Sequence, residues 1–346
     1  MINIALVGCG YWGVNYVRVF SELPGSRVMV ACDSNEDRLR LLRGRYQLIN
    51  TSSSLEEVLA NKWIDAVVIA TPTSSHFSIA QQCLLAGKHV LVEKPLTASD
   101  GEGQKLIETA ERLGRVLMVG HTFLYNSGVR KVKQIVADAD FGKIYYLHAT
   151  RTNMGPIRHD VNAIWDLAAH DIAIFNYLLD AQPCWVSAVG SRALGNGRED
   201  VGFVTLGYPQ GIIANVHASW VDANKVRELV VVGSQRRVVF DDLNNLERVR
   251  IFEKGVAPAE MEADSFGEFR LLVRDGDIIS PRVEASEPLR ELCQHFLDCI
   301  EQNKQPMTGG ADGLEVVRVL SAIDQSLAMM GAPVEVERAA RLAEVA

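Results

Sequence analysis

Residues 2–13, Ile2-Asn3-Ile4-Ala5-Leu6-Val7-Gly8-Cys9-Gly10-Tyr11-Trp12-Gly13, decide the fold. The apolar run Ile2 to Val7 reads as a buried strand. The spacing G-x-G-x-x-G reads as a turn, and the residues through Phe20 as a helix. In that context Gly8 permits a tight turn, Gly10 lets a pyrophosphate approach the backbone, and Gly13 lets helix and strand pack closely. The pyrophosphate would rest on free N–H groups at the helix start, with Tyr11 and Trp12 in the same loop.

The next strand, Val28 to Cys32, ends in Asp33, about 20 residues beyond the glycines. An acidic residue there hydrogen-bonds the adenosine ribose and repels a 2′-phosphate, which favours NAD over NADP. Asp33 reads equally as the cap of a helix over Asn35 to Arg43. Alternation then continues: a weak strand at Leu48–Asn50, a helix Ser54–Ala60, a strand Asp65–Ala70, a helix Phe77–Ala86, a strand His89–Glu93, a helix Ser99–Leu113 and a strand Arg115–Gly120. This spacing predicts a doubly wound parallel sheet.

Ligands bind outside the carboxyl ends of such strands, and two of these ends carry candidate chemistry. Thr71-Pro72-Thr73 and His76 follow one strand and are expected on the nicotinamide side. His76 reads either as a cofactor contact or as a helix-start residue satisfied locally. Glu93-Lys94-Pro95 follows another, where Pro95 disfavours helical geometry at Lys94 and presents its ammonium toward a substrate. Glu93 joins the expected cofactor set.

From His121 the texture changes. Asn126–Ala139 reads as an amphipathic helix. Strand-like runs follow at Ile144–Thr152, Trp185–Arg192, Val201–Tyr208, Ile212–Val221, Val226–Gly233 and Arg236–Asp241. Their short turns predict a large, open, mainly antiparallel sheet. Apolar residues fall on both of its faces (Val204, Leu206, Val216, Ala218, Trp220, Val230, Val232, Val239), so one face should cover helices and the other meet a second subunit. Gly255 to Phe266, with Glu260, Glu262 and Asp264, reads as an exposed loop. Helices Leu289–Glu301 and Asp312–Met330 come last. The division expected is 1–122 for dinucleotide binding and 123–346 for substrate binding and oligomerisation, an α+β domain.

A second constellation lies at Trp165-Asp166-Leu167-Ala168-Ala169-His170-Asp171. Asp166 and His170, four apart, share a helix face. An imidazole that titrates near neutrality suits proton abstraction from a sugar hydroxyl, with the carboxylate to orient it. The alternative is a capping aspartate and a packed histidine. No second histidine stands at ligand spacing, so no metal is called for. Upstream, Arg151 to Asn162 reads as a loop after a strand, either solvated or covering a substrate, with Arg151 or Arg158 on a phosphate.

The 346 residues, 48% hydrophobic and 23% charged, suit a two-domain globular protein. A net charge of −8 argues against a nucleic-acid or membrane-surface binder. The six cysteines lack a C-x-x-C pair and suit a reducing compartment. With no secretory leader pattern or membrane-spanning run, a cytoplasmic location is expected.

Together these residues resemble the Gfo/Idh/MocA family of nicotinamide-dependent sugar oxidoreductases. The matching features are Gly8-x-Gly10-x-x-Gly13, Asp33, Thr71-Pro72 with His76, Glu93-Lys94-Pro95, Gly120-His121 with Tyr125-Asn126, and Asp166-x-x-x-His170. The resemblance implies NAD as cofactor, catalysis by Lys94, Asp166 and His170, and a homodimer or homotetramer built through the second sheet. It also implies a nucleotide-sugar site reaching Tyr125, Asn126, Arg151, Asn153 and Arg158. The stretch Arg151 to Asp171 is further similar to the branch that oxidises UDP-N-acetylglucosamine at C3, for later transamination in surface polysaccharide or lipid A synthesis. UDP-N-acetylglucosaminuronate and inositol dehydrogenases share the same core. A non-catalytic NAD-binding sensor, or a glycosidase that uses NAD transiently, would keep the same first domain.

Overall fold

A computed structural model describes residues 1–258 and 271–337. The chain divides into two compact units, Met1–Tyr125 with Ser286–Ser321, and Asn126–Ala285 with the residues from Ala322 onward. The segment Ser286–Ser321, expected in the second domain, returns to the first unit.

In the first unit the elements are β1 (Ile2–Val7), α1 (Gly13–Glu22), β2 (Ser26–Cys32), α2 (Glu36–Arg45), β3 (Asn50–Ser52), α3 (Leu55–Ala60), β4 (Ala66–Ile69), α4 (His76–Leu85), β5 (His89–Val92), α5 (Asp100–Leu113) and β6 (Leu117–Val119). The sheet order is β3-β2-β1-β4-β5-β6, parallel throughout. The order reverses beside β1, the switch point where such folds place ligands. The central strands β4 and β5 are buried almost completely, so they carry unbroken runs of Val, Ile and Leu. Local signals fix the helix starts: the side chains of Asn35, Ser54 and Ser99 accept backbone N–H bonds at the heads of α2, α3 and α5. Asn35, rather than Asp33, therefore caps α2. The strand expected at Leu48–Asn50 forms two residues later, where β3 pairs with Val30–Cys32.

The second unit contains α6 (Ser127–Val136), β7 (Ile144–Met154), α7 (Ala169–Leu179), β8 (Trp185–Ser191), β9 (Val201–Gly207), β10 (Ile213–Ser219), β11 (Val221–Gly233), β12 (Arg237–Asp241), β13 (Val249–Phe252), β14 (Gly255–Pro258), β15 (Leu271–Arg274) and β16 (Ile278–Ile279). Helix α8 (Pro288–Gln302) follows in the first unit, α9 (Gly310–Ala328) runs from the first unit's sequence into the second's, and β17 (Val334–Glu335) comes last. Nine strands form a sheet in the order β16-β13-β12-β11-β7-β10-β9-β8-β17, antiparallel except for the pair β7–β10.

Strand alternation sorts its residues. Val204, Leu206, Val216 and Ala218 all lie on one buried face. There α6 packs close against Phe240 because Gly128 has no Cβ, and the chain before α7 packs over Gly202 for the same reason. The opposite face carries Val230 and Val239 together with partly exposed Phe203, Ile213 and Tyr146.

Two expectations change. Residues 151–154 continue β7 instead of forming a loop. Gly255–Pro258, expected in a loop, is a strand paired with β15, while Glu260, Glu262 and Asp264 lie outside the described residues.

Candidate active site

The glycine loop is shaped as its spacing predicts. Gly8 sits at φ +99°, and a Cβ there would lie 2.5 Å from the Ala70 carbonyl oxygen. A Cβ on Gly13 would lie 1.9 Å from the Gly8 oxygen. Both glycines are therefore required by the protein's own backbone. Gly10 differs: a Cβ would meet only Arg38 Nη1, at 3.9 Å. That open side, with no side chain capping the start of α1 and no acidic residue in its first turn, fits a pyrophosphate. Tyr11 is almost fully exposed and Trp12 partly so.

Asp33 is buried at the end of β2. Its Oδ2 accepts the Cys9 N–H at 2.7 Å and its Oδ1 the Asn35 N–H at 2.8 Å, tying β2 to the glycine loop. Arg38 Nη1 adds a third donor at 3.3 Å. A carboxylate offers about four lone-pair sites, so one remains for a ribose hydroxyl.

At the ends of β4 and β5 the structure redistributes the expected roles. Thr71 and Pro72 form the turn after β4, as expected. His76, however, is buried with Nδ1 2.8 Å from the Pro95 oxygen and Nε2 3.0 Å from the Thr71 oxygen. Its ring ties the two strand ends together, which is the locally satisfied alternative. Glu93 is likewise engaged by the protein's own groups. Its Oε1 accepts Trp12 Nε1–H at 2.5 Å and the Tyr16 hydroxyl at 2.6 Å, and its Oε2 accepts the Lys94 N–H at 3.1 Å. Burial pushes this carboxyl above the ordinary carboxylate range, against the pull of Tyr16, Lys94 and Trp12. Glu93 thus joins the glycine loop to the backbone of Lys94.

His121, one residue beyond the Gly120 that follows β6, is buried with neither ring nitrogen hydrogen-bonded among the described residues. Burial first, and then the Lys94 ammonium, lowers it to about 4, so it is a neutral imidazole at physiological pH. Tyr125 is buried with its hydroxyl 3.3 Å from Thr308 Oγ1.

In the second unit Asp166 lies on a single π-helical turn, Ile164–Ala168, that leads into α7 and His170. Such turns are rare and occur often at functional sites. Asn162 Oδ1 accepts the Trp165 N–H, and Trp165 Nε1 donates to Asp324 at 2.9 Å, which fixes the turn. Asp166 is then held from two sides. Its Oδ1 accepts from Arg158 Nη1 at 3.2 Å and its Oδ2 from Trp220 Nε1 at 3.3 Å. Arg158 also grips Asp160, through Nε at 2.9 Å and Nη2 at 2.6 Å. Burial disfavours the Arg158 cation, but Asp160 and Asp166 outweigh it and strengthen its hold on the proton.

Other expected substrate contacts have structural partners. Arg151 is buried in β7 and clasps Asp171 through Nε at 2.9 Å and Nη2 at 2.7 Å. Asn126 caps α6 through the Gly128 N–H and donates to Asp242 at 3.0 Å. Asn153, by contrast, has a buried Oδ1 with no hydrogen-bond partner among the described residues. No group of three or more His, Cys, Asp or Glu that could hold a metal occurs among the described residues, nor any helix long and apolar enough to cross a membrane.

Arg38, Tyr16 and Trp220 are not among the site residues expected from the sequence. Arg38 carried a signal, since Asn35 three residues earlier fixes it on the first turn of α2. Trp220 carried none, because its link to Asp166 spans 54 residues.

A parallel six-stranded sheet with an open glycine loop and a buried acid after β2 defines a dinucleotide-binding domain. Residues 2–121 match the model of the oxidoreductase family with an NAD-binding Rossmann fold, and residues 129–239 the Gfo/Idh/MocA C-terminal domain. The chain belongs to the Gfo/Idh/MocA family, as an NAD-dependent dehydrogenase of the kind that acts on sugars and inositols.

It is similar to UDP-N-acetylglucosamine 3-dehydrogenase of Acidithiobacillus ferrooxidans, 30% identical over 255 residues, 73% of this chain and 78% of that protein. A solved structure of that enzyme superposes with a TM-score of 0.78 at 25% identity, covering 95% of this chain and 98% of the other. It is also similar to scyllo-inositol 2-dehydrogenase (NAD(+)) of Bacillus subtilis, 25% identical over 350 residues, 97% of this chain and 96% of that one. Levoglucosan dehydrogenase, solved with NADH and L-sorbose, shares the fold with a TM-score of 0.81 at 20% identity, covering 98% of this chain and 99% of the other.

Proposed function

We propose that the chain oxidises the C3 hydroxyl of UDP-N-acetylglucosamine to the ketone. NAD, when bound, supplies the hydride acceptor. His170 takes the hydroxyl proton as the C3 hydrogen leaves with its electron pair. Lys94 donates a hydrogen bond to the same oxygen, favouring developing alkoxide over neutral alcohol. Asp166 keeps negative charge beside the base and orients it.

The observation that carries this reading is the setting of Asp166. A carboxylate held from both sides by Arg158 and Trp220, on a π-helical turn four residues before a histidine, is more elaborate than a helix cap requires. Similarity to the Acidithiobacillus enzyme supports the choice of sugar. The 3-keto product is a substrate for transamination, in keeping with a place in surface polysaccharide or lipid A synthesis.

The test is NADH absorbance with UDP-N-acetylglucosamine, UDP-N-acetylglucosaminuronate and free inositols. Turnover of the first, with a 3-keto product by mass spectrometry, is expected. Turnover of inositol alone would favour the second reading, supported by similarity along 97% of the chain to the inositol enzyme. Absence of NADH with every polyol would indicate a sensor, and release of a leaving group without net NADH a glycosidase. The assembly we propose is a homodimer or homotetramer through the outer sheet face. Phe203 is 48% and Tyr146 46% exposed there, apolar surface that a second subunit would cover.

A further inference from the structure

Glu199 and Asp200, between β8 and β9, lie under both arms that hold Asp166. On one arm, the Glu199 carbonyl accepts the Ala163 N–H at 2.9 Å, and Glu199 Oε2 accepts Asn162 Nδ2–H at 3.1 Å. Asn162 in turn accepts the Trp165 N–H through Oδ1 at 2.9 Å and the Asp166 N–H through its carbonyl at 3.1 Å. On the other arm, the Asp200 carbonyl accepts the Trp220 N–H at 2.9 Å, and the Trp220 indole donates to Asp166 Oδ2 at 3.3 Å. The two residues therefore anchor both the turn that carries Asp166 and the indole that grips it.

They are themselves fixed. Arg192 Nε donates to Glu199 Oε1 at 2.8 Å, and fully buried Asp200 accepts the Leu194 N–H at 2.8 Å and Asn196 Nδ2–H at 3.1 Å. Burial opposes ionisation of Glu199, yet bonds from Arg192, its own backbone N–H and Asn162 hold its carboxyl below the ordinary carboxylate range. It is thus a charged acceptor, and charge-assisted bonds of that kind are roughly twice as strong as neutral ones. Ile164, on the π-helical turn, closes over Gly202, where a Cβ would lie 2.4 Å from its side chain. Such turns are rare, and this one is sustained by contacts of this kind.

We propose that Glu199 is a positioning residue for Asp166: through Asn162 it holds the π-helical turn in the register that sets the carboxylate between Arg158 and Trp220. Without the Glu199 carboxylate, the Asn162 amide loses the acceptor that orients it, and the Trp165 N–H loses a fixed partner. The turn then relaxes toward α-helical spacing, which rotates Asp166 away from its two donors. The inference rests on the reading of Asp166 as the group that orients the base, and it holds for whichever sugar is oxidised.

The experiment compares the full chain as parent, Glu199→Leu, Glu199→Gln, Asp166→Asn, and Glu199→Leu combined with Asp166→Asn. Kinetics are read from NADH absorbance with UDP-N-acetylglucosamine, or with the uronate or an inositol if that is the sugar turned over. Glu199→Leu should lower kcat by about 10- to 100-fold, as a displacement of about 1 Å at a catalytic group does, with the sugar KM and the NADH Kd within about twofold of the parent. Glu199→Gln, whose amide oxygen still accepts from Asn162, should recover most of that loss. Beside Asp166→Asn, Glu199→Leu should lower kcat by no more than about twofold, because the two residues act as one unit. A second readout needs no turnover: the fluorine resonances of protein labelled with 5-fluorotryptophan, with Trp220 assigned through Trp220→Phe. Displacement or neutralisation of Asp166 should move the Trp220 signal in both Glu199→Leu and Asp166→Asn, and retained NADH binding reports that each variant is folded. The proposal is overturned if the Trp220 signal stays in place in Glu199→Leu, or if the kcat loss is as large beside Asp166→Asn as in the parent. If no sugar gives NADH with the parent, the dehydrogenase reading fails, and the Trp220 signal alone decides whether Glu199 seats Asp166.

Discussion

Replacing Arg151 by Met should destabilise the protein rather than weaken sugar binding. Arg151 and Asp171 are both buried, and two parallel bonds of 2.9 and 2.7 Å join them. At an effective dielectric constant near 20, opposite charges about 4 Å apart attract by about 4 kcal/mol. Removing the arginine leaves Asp171 buried with two charge-assisted bonds unmade, and such losses cost about 3–5 kcal/mol. Methionine roughly keeps the volume, so little of that cost comes from a cavity. Urea unfolding of Arg151→Met, Asp171→Leu and the double variant measures the pair directly. Each single change should cost about 3–5 kcal/mol, and the double variant less than their sum, because it leaves no lone buried charge. Steady-state kinetics of the folded variant completes the test. If Arg151→Met unfolds at the parent's urea midpoint but raises the sugar KM tenfold or more, the guanidinium serves the substrate and the structural assignment is wrong.

Three further outcomes are expected. Gly10→Ala should unfold like the parent yet bind NADH more weakly, whereas Gly13→Ala should lose stability, since its Cβ would lie 1.9 Å from the Gly8 oxygen; equal NADH affinity in Gly10→Ala would remove the pyrophosphate from that face. His170→Ala should lower kcat by about 10²–10⁴ while NADH still binds, and normal turnover would end its assignment as base. His121 is neutral in the fold and lowered to about 4 from an ordinary 6.5, so the stability linked to it is present above pH 6.5 and declines as pH falls toward 4, by at most about 3 kcal/mol. Urea unfolding of the parent and His121→Phe at pH 7.5 and pH 4.5 should show that part of the acid loss missing from the variant, and identical pH dependence would refute it.

Much of the first unit was legible because its signals are local. Strand alternation, the glycine spacing, and Asn35, Ser54 and Ser99 before helices each act within a few residues. The sequence by itself therefore determined the parallel sheet, the acid after β2 and the lysine after β5. Asp166 and His170 stood out by their spacing, although the π-helical form of that turn did not. Only tertiary structure decided where side chains of charged and polar residues were engaged. Arg151 looked like a loop arginine until β7 ran through it and brought it to Asp171, 20 residues on. The His76 ring meets two backbone carbonyls, and Trp12 and Tyr16 close on Glu93. The physical reason is that a buried charge or imidazole must find partners wherever the folded chain supplies them. Those partners come from elements far apart in sequence, where neither periodicity nor spacing carries their signal.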